Sequence, residues 1–187
     1  MENIPYEIIR SSRRTLSLQI TADGRVLARC PRQMSQARVE AFIREKEGWI
    51  RSHLEAIERR PRLPPLTEEE LAALVREAKT RIPQRLQYFA PRVGVTYGRV
   101  TIRMQKTRWG SCSVPGNLNF NALLLLAPPE VLDYVVVHEL CHRKEMNHSP
   151  AFWALVEQVL PDWKQRRRWL KENGGALMAR AFREEEP

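Results

Sequence analysis

Leu16, Leu18 and Ile20 alternate with polar residues, and after the turn-forming pair Asp23-Gly24 the alternation resumes at Val26, Ala28 and Cys30. A period of two on both sides of a tight turn predicts a β-hairpin. From Ser35 the spacing becomes helical: Val39, Phe42, Ile43, Trp49, Ile50, Leu54 and Ile57 form one apolar stripe behind a capping serine. His53 lies at the border of that stripe and reads as a boundary residue. Arg60-Pro61-Arg62-Leu63-Pro64-Pro65 follows as a stiff extended connector. A second stripe, Leu71, Leu74, Val75, Ala78 and Ile82, begins after Thr67 and should kink or restart at Pro83. Such a helix can back another.

Farther on, Val100-Thr101-Ile102-Arg103-Met104 alternates. So do the residues from Asn117 onward, with Leu118, Phe120, Ala122, Leu124 and Leu126 on one face of a predicted strand and Asn117, Asn119 and Asn121 on the other. The asparagines would line a cleft or a wet sheet face. The polar stretch Arg108-Trp109-Gly110-Ser111-Cys112-Ser113 links these two strands. Pro128-Pro129-Glu130 then opens a helix predicted to reach Glu145, with proline and an acidic residue where a first turn favours them. Val131 to Val137 is apolar on nearly every side, so this helix should be buried despite its β-branched valines. Ser149-Pro150 starts another helix, with Phe152, Val156 and Val159 at core spacing. After Leu160-Pro161-Asp162, a last helix holding Trp163 and Trp169 is expected to close near Asn173-Gly174-Gly175. Strands and helices in separate runs predict an α+β chain.

The buried helix carries the chemistry. Three of the four histidines fall within eleven residues, as His138-Glu139-Leu140-Cys141-His142 and then His148. Helical residues four apart are rotated by only about 40°, so His138 and His142 project from one face. Two such imidazoles can grip one divalent metal, and Glu139 can reach a water on it. His148, beyond the helix end, would complete three protein ligands and leave a fourth position open, which distinguishes catalytic from structural zinc. A structural site would want a fourth ligand, and Cys141 is the nearby thiol. A metal-free helix with two histidines and a glutamate would be costly in an apolar setting. The reading is a zinc hydrolase with one Zn2+ per chain, Glu139 acting as general base and then acid. Arg108, Ser111, Asn119 and Tyr134 are candidates to stabilise the oxyanion, and Trp109 is either a cleft wall or a core anchor. His-rich sites also suit nickel, cobalt or copper.

These motifs together resemble a known family. Arg108-Trp109-Gly110-Ser111-Cys112-Ser113, Leu118-Asn119, the run Asp133 to His142, Asn147-His148-Ser149 and Phe152-Trp153 look like the YgjP-like metallopeptidases, predicted metal-dependent hydrolases related to the SprT and WLM zinc peptidases. The resemblance implies a zincin-like fold, with a small antiparallel sheet, a buried metal-bearing helix and a backing helix, plus the N-terminal hairpin and helix. It implies zinc on His138, His142 and His148, with Glu139 as catalytic acid/base. The implied arrangement is one domain over residues 11–173: hairpin and helix at 1–60, linker at 61–66, core at 67–173, and a tail at 174–187. Ligand spacing also resembles the metzincin pattern, but Glu145 stands at that pattern's glycine. One bacterial family member is described as acting on uridine triphosphate, so the substrate is a peptide, a protein or a nucleotide.

Composition narrows the setting. The chain has 187 residues, of which 43% are hydrophobic, enough for one sizeable core. Three cysteines at irregular spacing, Cys30, Cys112 and Cys141, fit a reducing compartment. With no signal-peptide pattern and no apolar run long enough for a bilayer, a cytoplasmic protein without membrane contact is expected. The net charge of +9 gathers in three groups: Arg10, Arg13 and Arg14; Arg59, Arg60 and Arg62; and Lys164, Arg166, Arg167, Arg168 and Lys171. Such groups suit nucleic acid or nucleotides as well as plain solvation. A nucleoside triphosphate hydrolase and a nucleic-acid-associated protease or binding module are therefore alternatives. Against the first, no Gly-rich phosphate loop is present.

Overall fold

The computed structural model describes residues 4–21, 24–58 and 63–182. Asp23, the basic group Arg59, Arg60 and Arg62, and the acidic stretch 184–187 lie outside these residues. The chain falls into two compact units, residues 1–63 and 64–187.

In the first unit, β2 (Ser17–Ile20) and β3 (Val26–Pro31) form the expected antiparallel hairpin, Ser17 opposite Arg29 and Ile20 opposite Val26. A strand the alternation did not reveal, β1 (Tyr6–Ser11), adds to the other edge of β3 in parallel, for an order β1-β3-β2. Val26, Ala28 and Cys30 pack with Val39, Ile43 and Ile50 into this unit's core. The single helix expected here is two: α1 (Gln36–Glu45) ends at Lys46 and α2 (Glu47–Glu58) begins at once. Ser35 holds the capping position through its extended backbone and makes no side-chain bond. His53 is an exposed residue that stacks on Trp49 and bonds its carbonyl at 2.9 Å.

The second unit is built around two long helices. α3 (Glu68–Val93) opens with a capping box between Thr67 and Glu70 and ends at Gly94, whose φ of 72° is the left-handed conformation a helix stop favours. It runs through Pro83 and Pro91 without a break, contrary to the expected restart. Ile82, Leu86 and Phe89 on its inner face pack against α4 (Pro129–Cys141). In α4, Val131, Leu132, Tyr134 to Val137, Leu140 and Cys141 are all buried. Burial overrides the weak helix preference of the valines, because packed apolar surface outweighs a few tenths of a kcal/mol per residue. Asp133 is accommodated by Arg85 of α3, with N–O distances of 2.6 and 2.8 Å.

Beside the helices lies a second three-stranded sheet, β4 (Val100–Arg103), β5 (Gly110–Cys112) and β6 (Leu118–Asn121), in the order β4-β6-β5. It is mixed rather than antiparallel as expected: β4 runs parallel to β6, and β5 antiparallel. The supposed link between strands thus contains the edge strand β5. The predicted strand through Leu126 stops at Asn121, and a 3-10 turn covers Ala122–Leu126. Asn121 causes the change. Its side chain accepts from Leu123 N at 3.1 Å and donates to Gln105 and Arg108 carbonyls at 2.7 and 3.0 Å, so the chain turns around a buried amide.

α5 (Pro150–Val159) is capped by Ser149, whose hydroxyl accepts from Phe152 N. α6 (Trp163–Ala181) does not close at Asn173-Gly174-Gly175. A Cβ on Gly174 would come within 2.9 Å of Trp109, so this glycine permits close packing instead of ending the helix, and much of the expected tail is helical. Residues 64–66 are tied to α6 by Leu66 N to Arg180 O and Arg180 Nε to Pro64 O, both 2.9 Å. No helix among the described residues is long and apolar enough to cross a membrane.

Candidate metal centre

His138 leaves the last full turn of α4, and His142 sits at its C-cap. The chain then turns through residues 143–145, short of the expected helix end at Glu145, and brings back His148 just before α5. One ligand nitrogen from each of the three lies within 4.8 Å of the others. Their ring centroids form a nearly equilateral triangle, with sides of 4.8, 4.9 and 4.8 Å. His138 Nε2 and His148 Nε2 face each other at 3.0 Å. His142 Nδ1 donates to the Glu145 carbonyl at 2.9 Å, which leaves its Nε2 lone pair free.

Phe152 forms the floor. Its ring is buried and stands 4.9, 4.6 and 4.9 Å from those of His138, His142 and His148. Its helical spacing predicts a core residue and does not by itself tie it to all three imidazoles. Trp153 lies to one side, stacked on His148 at 5.6 Å and 22°.

Glu139 is 5% exposed, and its Oε2 has no hydrogen-bond partner among the described residues; nor has His138 Nδ1. Burial pushes the Glu139 carboxyl up to about 8. Burial, helped by the nearby charges of His142, His148 and Arg167, lowers His138 to about 3, and His148 is lowered for the same leading reason. Neutral imidazoles with free lone pairs are what a divalent cation requires, since protons compete for the same nitrogens. The donor set, the convergent geometry and the unpartnered carboxyl all fit such an ion.

Gly110, within the Arg108 to Ser113 motif, sets how closely β5 approaches Glu139. A Cβ on Gly110 would lie 2.6 Å from Glu139 Oε1 and 2.8 Å from its Cγ. β5 can therefore pass directly beside the carboxyl only because residue 110 lacks a side chain.

The five other candidates scatter in role. Tyr134 is buried beside the trio, its ring 5.8 Å from His138, and burial pushes its hydroxyl up to about 12. Ser111 and Asn119 bond each other across β5 and β6 at 3.2 Å. Trp109 packs on α6 at Gly174. The Arg108 side chain is exposed, and its carbonyl accepts from Asn121. Asn117 and Asn121 are engaged with backbone groups. Arg167, whose charge reaches His138, His148 and Tyr134, had been read as one member of a basic run.

A family model, YgjP-like, metallopeptidase domain, matches residues 14–74 and 67–173. The chain belongs to the YgjP-like metallopeptidase-domain family. With the three-histidine cluster, that membership makes it a metal-dependent, peptidase-like hydrolase. Among solved structures it is similar to the metallopeptidase zymogen of Pyrococcus abyssi abylysin, at 26% identity over 49% of this chain and 93% of that one, with a TM-score of 0.44. It is also similar to the metallopeptidase zymogen of Methanocaldococcus jannaschii jannalysin, at 18% identity over 50% and 96%, with a TM-score of 0.44. No curated protein matches it.

Proposed function

We propose that this chain is a zinc peptidase in which His138, His142 and His148 hold one zinc ion and Glu139 handles the protons of hydrolysis. The observation that carries the reading is the convergence of three imidazoles on one point, above an apolar floor and beside a buried, unpartnered carboxyl. A bound divalent ion would supply Lewis acidity, making water more acidic and polarising a scissile carbonyl. Glu139 takes a proton from the attacking water and returns it to the leaving amine. The Glu145 carbonyl holds the ring of His142 in one tautomer. Phe152 excludes water from beneath the imidazoles, which strengthens the electrostatics above it.

The sheet supports a peptide as the substrate. Among the described residues β5 is an edge strand that pairs with β6 alone, and it passes Glu139 at Gly110. An extended chain laid along that edge would gain main-chain hydrogen bonds and bring a peptide group to the carboxyl. We read α4, backed by α3 and flanked by a small sheet, as a zincin-like arrangement, which the packing of these elements supports.

Purified protein is expected to carry about one zinc, and His142→Ala to lose it. Glu139→Gln should retain the metal and lose about 10²–10⁴-fold in turnover on peptide pools. Nucleoside triphosphates assayed alongside should be spared. Wild-type turnover in Glu139→Gln would remove the carboxyl from the mechanism.

A further inference from the structure

We propose that Arg167 is a specificity-determining residue that receives a carboxylate of the peptide substrate beside the three-histidine site; this rests on the peptidase reading. The guanidinium is placed by an aromatic stack. Trp163 of α6 lies against Trp153 at 4.3 Å and 13°, and Trp153 lies against His148 at 5.6 Å and 22°. Arg167, one turn beyond Trp163, lays its guanidinium carbon 4.8 Å from the Trp153 ring and 6.0 Å from that of Trp163. A planar cation held face-on by indoles is restrained in position while its N–H edge stays available.

Two other basic residues of its run on α6 are paired. Lys164 meets Glu157 at 3.8 Å, and Arg166 meets Asp162 at 2.9 Å and donates to the Glu130 carbonyl. Arg167 is exposed and, among the described residues, has no carboxylate or hydrogen-bond partner. Its positive charge is felt at His138, His148 and Tyr134, which puts it in electrostatic range of the site. A cation next to a pocket that suits a dication adds like charge, and no carboxylate among the described residues pairs with it. An anion brought by the substrate would. One guanidinium edge matches one carboxylate through two parallel hydrogen bonds. A triphosphate would call for several cations or a phosphate-cradling loop; of the two cations on this stack, Lys164, 5.6 Å over Trp163, meets Glu157 at 3.8 Å, which leaves Arg167 as the unpaired one among the described residues.

The test uses full-length, zinc-loaded Glu139→Gln protein and fluorescein-labelled alanine pentapeptides carrying Glu or Gln at each position in turn. Fluorescence anisotropy should show Glu binding about tenfold tighter than Gln at one position. Adding Arg167→Gln should bring that ratio to about one, and Arg167→Lys should restore part of it. In the protein with Glu139 intact, the same ratio in kcat/KM should collapse through KM. Circular dichroism and zinc content report whether the Arg167 variants fold and load. If no peptide is cleaved but the Arg167-dependent preference for Glu persists, the carboxylate site stands and the peptidase reading fails. Equal binding of Glu and Gln peptides at every position, or a preference that survives Arg167→Gln, overturns the proposal. So does Arg167-dependent binding of a nucleoside triphosphate without any peptide preference.

Discussion

At residue 110 the absence of a side chain sets the distance between β5 and the Glu139 carboxyl, since an added Cβ would stand 2.6 Å from Oε1. Gly110→Ala should therefore displace the carboxyl or the strand. Turnover is expected to fall at least about tenfold, a loss worth about 1.4 kcal/mol in the transition state. Zinc content, measured by elemental analysis, should stay at the wild-type level, because residue 110 is not one of the three proposed ligands. The contrast between Gly110 and the histidines shows what a sequence can reveal at this scale. That His138 and His142 meet on one face was legible, because it follows from helical spacing. Gly110, Phe152 and Arg167 act through contacts with other segments that helical spacing does not mark, and the Glu145 carbonyl acts within the turn just past the helix end. Of the further candidates, Tyr134 adjoins the trio, for it shares a helix face with His138 one turn away.

Among the elements, α4 was legible from its proline start and apolar run, and α5 from Ser149-Pro150. Boundaries were lost where a side chain competes with the backbone or a glycine serves packing. Asn121 ends a strand that alternation alone would continue, and Gly174 lets α6 pass Trp109 where a stop was expected. The edge strand β5 is three residues long, too short for alternation to register. Between α3 and α4, the pair Arg85–Asp133 joins two otherwise apolar faces, with side chains 33% and 16% exposed. The guanidinium also lies over Tyr88 at 4.7 Å and Phe89 at 5.0 Å. Asp133→Ala should cost about 2 kcal/mol, since it strands a partly buried cation. Urea denaturation is the check: the midpoint should fall while the slope holds. Metal content should not change.

For the whole molecule, composition and pattern predicted an α+β chain, and the structure has mixed sheets with six α-helices among the described residues. The parallel pairings β1–β3 and β4–β6 were out of reach, because each joins segments separated by intervening chain. Metal and fold should be linked at this scale. If the three histidines bind zinc only when folded, free zinc at a thousand times its dissociation constant would stabilise the protein by about 4 kcal/mol. Chelation should then lower the melting temperature by about 10 °C, as read by calorimetry. The His142→Ala protein should melt at one temperature with or without chelator. A wild-type melting point indifferent to chelation would separate the histidine cluster from metal.

The shortness of β5 has a consequence for which molecules could be admitted. Three residues offer room for only a few ladder bonds, and those bonds form only with a backbone whose own amides and carbonyls are unengaged. A segment already committed to a native helix or sheet has none to give. If peptides dock along this edge, the first selection is therefore made on foldedness: frayed ends and unfolded stretches enter, and intact domains are turned away by their own internal bonding.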